Sequence, residues 1–359
     1  MNNIKAANCK KTVGVVRDVR FLDHIPGIGH IESPGRLEAI YERLDREDAI
    51  GLYQSIAPRM ATKDELAWNH EKRYIERVEK TRYHDLTQLD PDTIASSGSW
   101  QAGCLAAGGV FSLLDAVFSG MVSNGLALVR PPGHHAERGE SMGFCLFNNV
   151  ALGAHYARKV MGCAKVLIVD WDIHHGNGTQ WSFYDDPTVL YFSTHRYPYY
   201  PGSGAIDQIG RGEGRGFTVN CPLEPGAGDG EYAAVFRRLL LPVARAFAPD
   251  VVLVSAGFDI YKDDPLGGMK VTVKGFAYLA RLLIDLAGET ANGRIIFCLE
   301  GGYNNCGLAQ GVYAVLRECS GKSILSSEDV KELDAFCPGP DVIDGAIEAL
   351  KTYWPALGC

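Results

Sequence analysis

Lys165-Val166-Leu167-Ile168-Val169-Asp170-Trp171-Asp172-Ile173-His174-His175-Gly176-Asn177-Gly178 is the stretch that decides how this chain folds. It opens as a short apolar, β-branched run closed by an acidic residue, the pattern of a strand buried on both faces of a parallel sheet. Side chains alternate along a strand, so Asp170, Asp172 and His174 are predicted to share one face before the chain breaks at Gly176 and Gly178. Carboxylate and imidazole at positions i and i+2 can grip one ion, and mixed nitrogen and oxygen ligation suits Zn²⁺ without thiolates. Asp and Asn also close strands for purely local reasons. The density of Asp and His here favours the metal.

Further strand-like runs lie at 13–17, 126–130, 189–193, 217–220, 251–255 and 294–299, besides the one at 166–170. Helical periodicity falls at 35–46, 99–118, 148–160, 231–246, 273–287 and 308–317. This alternation argues for an α/β fold on a parallel sheet. Glycine and proline collect just after strands, in Arg130-Pro131-Pro132-Gly133, Tyr200-Pro201-Gly202-Ser203-Gly204 and Glu300-Gly301-Gly302-Tyr303. In open α/β sheets the ligand crevice lies beyond those strand ends. No repeat or low-complexity linker divides the chain. From about residue 320 a polar link leads to a helix at 342–351, expected to serve packing or assembly.

The 359 residues carry a formal net charge of -8, with 46% hydrophobic and 22% charged residues, an ordinary globular composition. Without any run of five Lys or Arg, a nucleic-acid partner is not expected. Ten cysteines, Cys9, Cys104, Cys145, Cys163, Cys221, Cys298, Cys306, Cys319, Cys337 and Cys359, stand singly with no C-x-x-C pair. That is neither a disulfide framework nor a thiolate zinc site, and it suits a reduced, intracellular protein. Lys5, Lys10 and Lys11 are not followed by the apolar core of a secretory signal, and no window reaches the ~20 apolar residues of a membrane span. The expectation is a cytoplasmic protein without a membrane partner.

Three more blocks carry chemistry. Arg130-Pro131-Pro132-Gly133-His134-His135-Ala136 sets two imidazoles on a turn stiffened by proline. Val254-Ser255-Ala256-Gly257-Phe258-Asp259 is another apolar strand ending in a carboxylate, which can supply the third ligand that a catalytic zinc needs beside Asp172 and His174. In Cys298-Leu299-Glu300-Gly301-Gly302-Tyr303-Asn304, the glycines let the backbone turn sharply and bring a phenol close to a ligand.

With His30-Ile31-Glu32-Ser33-Pro34-Gly35-Arg36-Leu37-Glu38 in the same order, these blocks resemble the histone deacetylase superfamily, zinc-dependent deacetylases of the arginase/deacetylase fold. Gly176-Asn177-Gly178, Gly143-Phe144-Cys145 and the Glu300 before Gly-Gly-Tyr resemble its class II-like branch. The likeness runs from about His24 to Asn304. It implies a three-layer αβα architecture with a central, mainly parallel sheet. It also implies a single catalytic domain over 1–359, with a core at about 13–318 and a C-terminal helical extension at 320–359.

By that resemblance Asp172, His174 and Asp259 are the zinc ligands, and His134 and His135 the acid/base pair, backed by Asp170 and Asn177 respectively. A carboxylate favours an imidazolium and a carboxamide does not, so His134 should have the higher pKa. Which of the two is the general base stays open. Tyr303 would hydrogen-bond the developing oxyanion. Phe144 and Tyr200 would wall a tunnel for an acyl-lysine stem, with Gly143 and Gly301 beside the substrate and Asp92 on the rim. Leu266 sits where polyamine-selective relatives carry an acidic residue, and Arg36 where an inner cavity accepts the released acetate. Potassium is implied at Asp170, Asp172, His174, Ser193 and Thr194, and again at Phe183, Asp186, Val189 and Phe217.

The expected activity is zinc-dependent removal of acetyl or other acyl groups from Nε-acyl-lysine in proteins or peptides. Acetylpolyamine or another small acyl-amine is the alternative substrate, and an acyl-ligand binder without turnover a remote one. A two-manganese ureohydrolase is disfavoured, because a lone Asp259 matches one metal. A homo-oligomer is compatible with the sequence.

Overall fold

The run at 165–169 does become a strand, buried along its whole length with a parallel neighbour on either side, as its β-branched composition requires. The computed structural model describes residues 12–336, 339 and 341–358, so Lys5, Cys9, Lys10, Lys11, Cys337 and Cys359 lie outside the described residues. The strands are β1 (Val13–Val16), β2 (Tyr53–Ile56), β3 (Leu86–Gln88), β4 (Ile94–Ser96), β5 (Asn124–Ala127), β6 (Val166–Asp170), β7 (Val189–Arg196), β8 (Thr218–Leu223), β9 (Val251–Ala256) and β10 (Ile295–Leu299). Eight of them form one sheet in the order β2-β1-β5-β10-β9-β6-β7-β8, every neighbouring pair parallel, while β3 and β4 make a small antiparallel ladder.

The helices are α1 (Gly35–Leu44), α2 (Lys63–Leu66), α3 (Lys72–Lys80), α4 (Ser99–Phe118), α5 (Asn149–Lys159), α6 (Asn177–Phe183), α7 (Asp229–Val235), α8 (Leu241–Phe247), α9 (Val273–Thr290), α10 (Asn305–Cys319), α11 (Ser327–Ala335) and α12 (Val342–Leu350). α4 and α5 pack together over β1, β5, β6 and β9, while α9 and α10, joined by α1, cover the other side. This is the three-layer αβα arrangement expected. α4 is apolar and long enough, by length and composition, to cross a membrane, contrary to the sequence expectation, but its apolar surface is spent on the core of this protein. One apolar core runs from Val13 to Leu357, so α12 belongs to it: Ile343, Ala346 and Leu350 are buried where that helix meets β8, whereas α11 buries none of its residues.

Several boundaries differ for definable reasons. β5 starts at Asn124 and ends at Ala127 rather than covering 126–130. Asn124-Gly125 reads as a turn, but the Asn124 amide donates to the Cys319 carbonyl (3.2 Å), and a Cβ on Gly125 would meet the Gly14 carbonyl at 2.5 Å. β8 runs on to Leu223 through Pro222, which a strand at the sheet edge tolerates. The helix expected at 231–246 is interrupted by a π turn over Phe236–Leu240 between α7 and α8. The polar link after 320 contains α11, started by a capping box of Ser326 and Asp329. Gly176 and Gly178 do not break the chain, because α6 begins at Asn177. A Cβ on Gly176 would meet the Asp170 carboxylate at 2.3 Å, and one on Gly178 the Ala136 carbonyl at 2.3 Å. Cys104, Cys145, Cys163, Cys221, Cys298 and Cys319 are buried, as small hydrophobes should be, and Cys306 is exposed.

Candidate active site

Five adjacent strands of the sheet, in the order β5-β10-β9-β6-β7, deliver the tandem-histidine, Gly-Gly-Tyr, Asp259, Asp172–His174 and Tyr200 segments to one end of the molecule. β6 ends at Asp170, so Asp172 and His174 stand on the following loop and not on the strand as expected. The alternation survives the change: Trp171 and Ile173 are completely buried, and Asp172 and His174 point the other way, into the site. Hydrogen bonds replace the ladder, with Trp171 N–H donating to the Ser255 carbonyl (3.2 Å) and Arg196 N–H to that of Ile173 (2.9 Å).

Asp172, His174 and Asp259 converge, their ligand atoms lying within 4.8 Å of one another. His174 Nδ1 is 3.1 Å from Asp172 Oδ1 and 3.3 Å from Asp259 Oδ2. The remaining oxygens are taken up: Asp172 Oδ2 accepts Gly301 N–H (2.8 Å) and Asp259 Oδ1 accepts Ile173 N–H (2.9 Å). Asp259 Oδ2 is buried without a hydrogen-bond partner. The backbone makes room for both carboxylates, since a Cβ on Gly257 would meet Asp172 Oδ2 at 2.1 Å and one on Gly301 would meet Asp259 Oδ2 at 2.2 Å. Two buried carboxylates and one imidazole, with an oxygen left over, fit a divalent metal that keeps an open position. Burial pushes Asp259 up to about 7, helped by the Asp172 charge. Burial lowers the basicity of His174, but the hydrogen bond to Asp172 and the carboxylate of Asp259 close by outweigh it and lift its pKa to about 9.

Beside this triad the rings of His134 and His135 lie 4.0 Å apart. His134 Nδ1 is 3.1 Å from Asp170 Oδ2, and His135 Nδ1 is 2.7 Å from Asn177 Oδ1. Burial depresses both rings, but the charges of Asp172 and Asp170 overcome it at His134 and raise its pKa to about 10. At His135 burial prevails, reinforced by the positive charges of His134 and His174, and its pKa falls well below the usual imidazole value. The expected difference between the rings is present.

Outside the triad a cavity of about 200 Å³ is lined by Asp92, His135, Gly143, Phe144, His174, Tyr199, Tyr200, Leu266 and Tyr303. Phe144 stands edge-on to Tyr303 (6.0 Å) and to His30 (4.8 Å), and Tyr200 edge-on to His135 (5.2 Å). Phe144 has φ 67°, an uncommon conformation for a residue with a side chain, and the Asp92 carboxylate accepts the preceding Gly143 N–H at 3.0 Å. Only glycine fits at 143, because a Cβ there would meet the His135 ring at 2.2 Å. The Tyr303 N–H is held by Asp264 Oδ2 (2.6 Å), and burial drives its phenol pKa well up.

Two expected substrate contacts lie elsewhere. Gly301 does not line the cavity but holds Asp172 from behind. Arg36 is buried beneath Tyr303, its guanidinium 5.0 Å from the ring centre, donating to the carbonyls of Gly302 (2.7 Å) and Glu300 (2.5 Å) and to Glu32 (3.1 Å). Strand pairing sets Ser193 beside Asp170, and Thr194 Oγ1 donates to the Asp170 carbonyl (3.5 Å). At the second expected cation site the carbonyls of Phe183, Asp186 and Phe217 each accept a backbone N–H, from Asp186, Val189 and Tyr191.

Sequence reasoning missed Tyr199, which stacks on His174 (5.5 Å, 16° between planes) and donates its hydroxyl to the Leu266 carbonyl (2.9 Å). Its signal was adjacency to Tyr200 in an aromatic loop. It also missed Asp264 and the buried pairing of Glu32 with Arg130, which no local pattern joins across this distance in sequence.

The histone deacetylase domain family matches residues 30–319. The crystal structure of the HDA15 HD domain superposes with a TM-score of 0.88 at 38% identity, covering 97% of each chain. Among curated proteins, histone deacetylase 15 of Arabidopsis thaliana is 40% identical over 91% of this chain and 59% of its own length. Histone deacetylase 5 of the same plant is 38% identical over 98% and 55%. The human polyamine deacetylase HDAC10 is 45% identical over 79% and 43%. The chain therefore spans about half the length of these curated relatives.

Proposed function

This chain belongs to the histone deacetylase family, and from that premise we propose that it is a zinc-dependent amidohydrolase removing acetyl or other acyl groups from Nε-acyl-lysine. The observation that carries the reading is the convergence, at the floor of one aromatic-walled cavity, of the Asp172–His174–Asp259 triad, the tandem histidines and Tyr303. A zinc ion held by the triad would supply Lewis acidity towards the amide carbonyl and a water acidified towards pKa ~7.

The chain's own groups divide the remaining work. Phe144 and Tyr200 enclose the methylene stem and exclude water from the scissile amide. His135 donates Nδ1–H to the Asn177 carboxamide, which leaves Nε2 bare to take the proton of the attacking water and return it to the amine as the C–N bond breaks. His134, bound to Asp170, stays an imidazolium and offsets the negative charge of the reacting groups. The Tyr303 hydroxyl donates to the carbonyl oxygen as negative charge develops on it. Structural roles for K⁺ at the strand tip of Asp170 and Ser193 belong to the same reading.

Turnover of an acetyl-lysine peptide by zinc-loaded protein tests this. Tyr303→Phe should lower kcat on the order of 10²- to 10³-fold with KM little changed, and His135→Ala should lower it at least as far. Undiminished turnover in both variants would overturn the assignment. The likeness to a polyamine deacetylase favours acetylpolyamine as a second substrate, whereas the apolar Leu266 on the rim offers a distant ammonium no charge. A kcat/KM for acetylpolyamine well above that for acetyl-lysine peptide would reverse the order.

A further inference from the structure

Glu300, at the tip of β10, is a buried carboxylate to which the reaction above gives no task. Its side chain crosses to the turn that follows the neighbouring β5. Oε2 accepts Gly133 N–H at 2.6 Å and His134 N–H at 3.1 Å, and Oε1 accepts the Ser255 hydroxyl at 3.1 Å. The far side of the turn is closed by the start of α5, since a Cβ on Gly133 would meet Asn149 N at 2.5 Å and the Phe147 carbonyl at 2.8 Å. The carbonyl of His134 accepts Thr179 N–H at 3.1 Å, so both polar ends of that residue's backbone are engaged. Glu300 is itself fixed: its N–H donates to the Ala256 carbonyl (3.1 Å), and its carbonyl accepts from Arg36, the residue beneath Tyr303.

We propose that Glu300 is a positioning residue for the tandem histidines, its carboxylate clamping the Gly133–His134 backbone so that both imidazoles stand at a fixed distance from the metal triad. Buried N–H groups demand an acceptor, and one side-chain oxygen reaching two of them at once locks the turn as an apolar side chain at this position could not. The kinetic part of this inference rests on the deacylase reading, and the structural part does not.

Two conservative substitutions separate geometry from charge. Glu300→Gln keeps the reach, turning its oxygen to the two N–H groups and its amide nitrogen to the Ser255 hydroxyl, but removes the negative charge. Glu300→Asp keeps the charge and loses one methylene of reach. Amide hydrogen exchange at Gly133 and His134 is read by NMR on the metal-free protein, and kcat and KM for an acetyl-lysine peptide on the zinc-loaded protein. Glu300→Asp should speed exchange at both amides by at least about tenfold and lower kcat roughly 10- to 100-fold with KM within about twofold, the scale expected for misplaced catalytic groups. Glu300→Gln should keep both amides protected and kcat within about fivefold of the parent. Unchanged protection and kcat in Glu300→Asp would overturn the proposal, as would a loss in Glu300→Gln as large as in Glu300→Asp, which would make the charge the operative feature. Parent protein inactive on every acyl-lysine would refute the deacylase reading alone, and the exchange comparison would still decide the clamp.

Discussion

His134 and His135 are neighbours in the chain and in space, yet the carboxylates of Asp172 and Asp170 beside one, and burial uncompensated by any carboxylate partner at the other, set them on opposite sides of neutrality. The carboxamide of Asn177 accepts from His135 without adding charge, and its own amide group donates to Glu137 Oε1 at 2.7 Å. With burial and the neighbouring positive charges all acting downward, His135 is a neutral base at physiological pH. Asn177→Asp would place a carboxylate against Nδ1–H, favour the imidazolium and raise the pKa of His135. A base must be unprotonated, so the acid limb of kcat/KM should move to higher pH, by about one unit or more for an opposite charge at this distance. Combining the change with Glu137→Gln removes the repulsion the new carboxylate would meet. The pH profile checks this, and a limb that stays in place or moves down would transfer the base role away from His135.

Among the elements, the C-terminal segment shows how packing adds stability far from the cavity. Trp354 is buried against Phe217 (ring centres 5.3 Å apart) and Phe247 (6.3 Å), and its indole N–H donates to the Gly216 carbonyl at 2.7 Å. Trp354→Ala should cost about 3–5 kcal/mol of unfolding free energy, read from urea titrations, while KM for the acyl substrate stays put. The sequence shows this segment only faintly, because a lone Trp gives no periodicity. What was legible follows the same logic. Strands buried on both faces are apolar runs, so β6, β7, β9 and β10 announce themselves, and a buried acid or histidine at their tips stands out against them. β2, whose two middle residues are exposed, gives no such run, and β3 and β4 are three residues each. Glu300 was conspicuous as a motif, but its partners Gly133 and Ser255 lie on the turn after β5 and on β9, and only the order of strands in the sheet brings them to it.

For the whole molecule, the consequence of gathering so many polar groups at one end of a sheet is a set of histidines buried as neutral rings. His70 donates Nδ1–H to the Glu137 carbonyl (2.8 Å) and receives the Asn148 N–H at Nε2 (3.0 Å); His195 donates Nε2–H to the Gly204 carbonyl (2.8 Å) and receives the Ser193 hydroxyl at Nδ1 (2.9 Å). Each ring uses one nitrogen as donor and the other as acceptor, so a second proton at His70 would set two N–H groups against each other. Burial holds His70, His155 and His195 at about 4, below the ~6.5 of an unfolded histidine. Between those values the unfolded chain binds more protons than the folded one, so stability is complete above pH ~6.5 and falls as the pH drops towards 4. The slope is up to about 1.4 kcal/mol per pH unit for each such ring. Urea midpoints of zinc-loaded protein should therefore fall steeply between pH 6.5 and 4.5. His70→Gln keeps one donor and one acceptor and cannot take up a proton, so it should flatten that fall even if it lowers the midpoint at pH 8. An acid slope as steep in the variant as in the parent would place the proton uptake elsewhere.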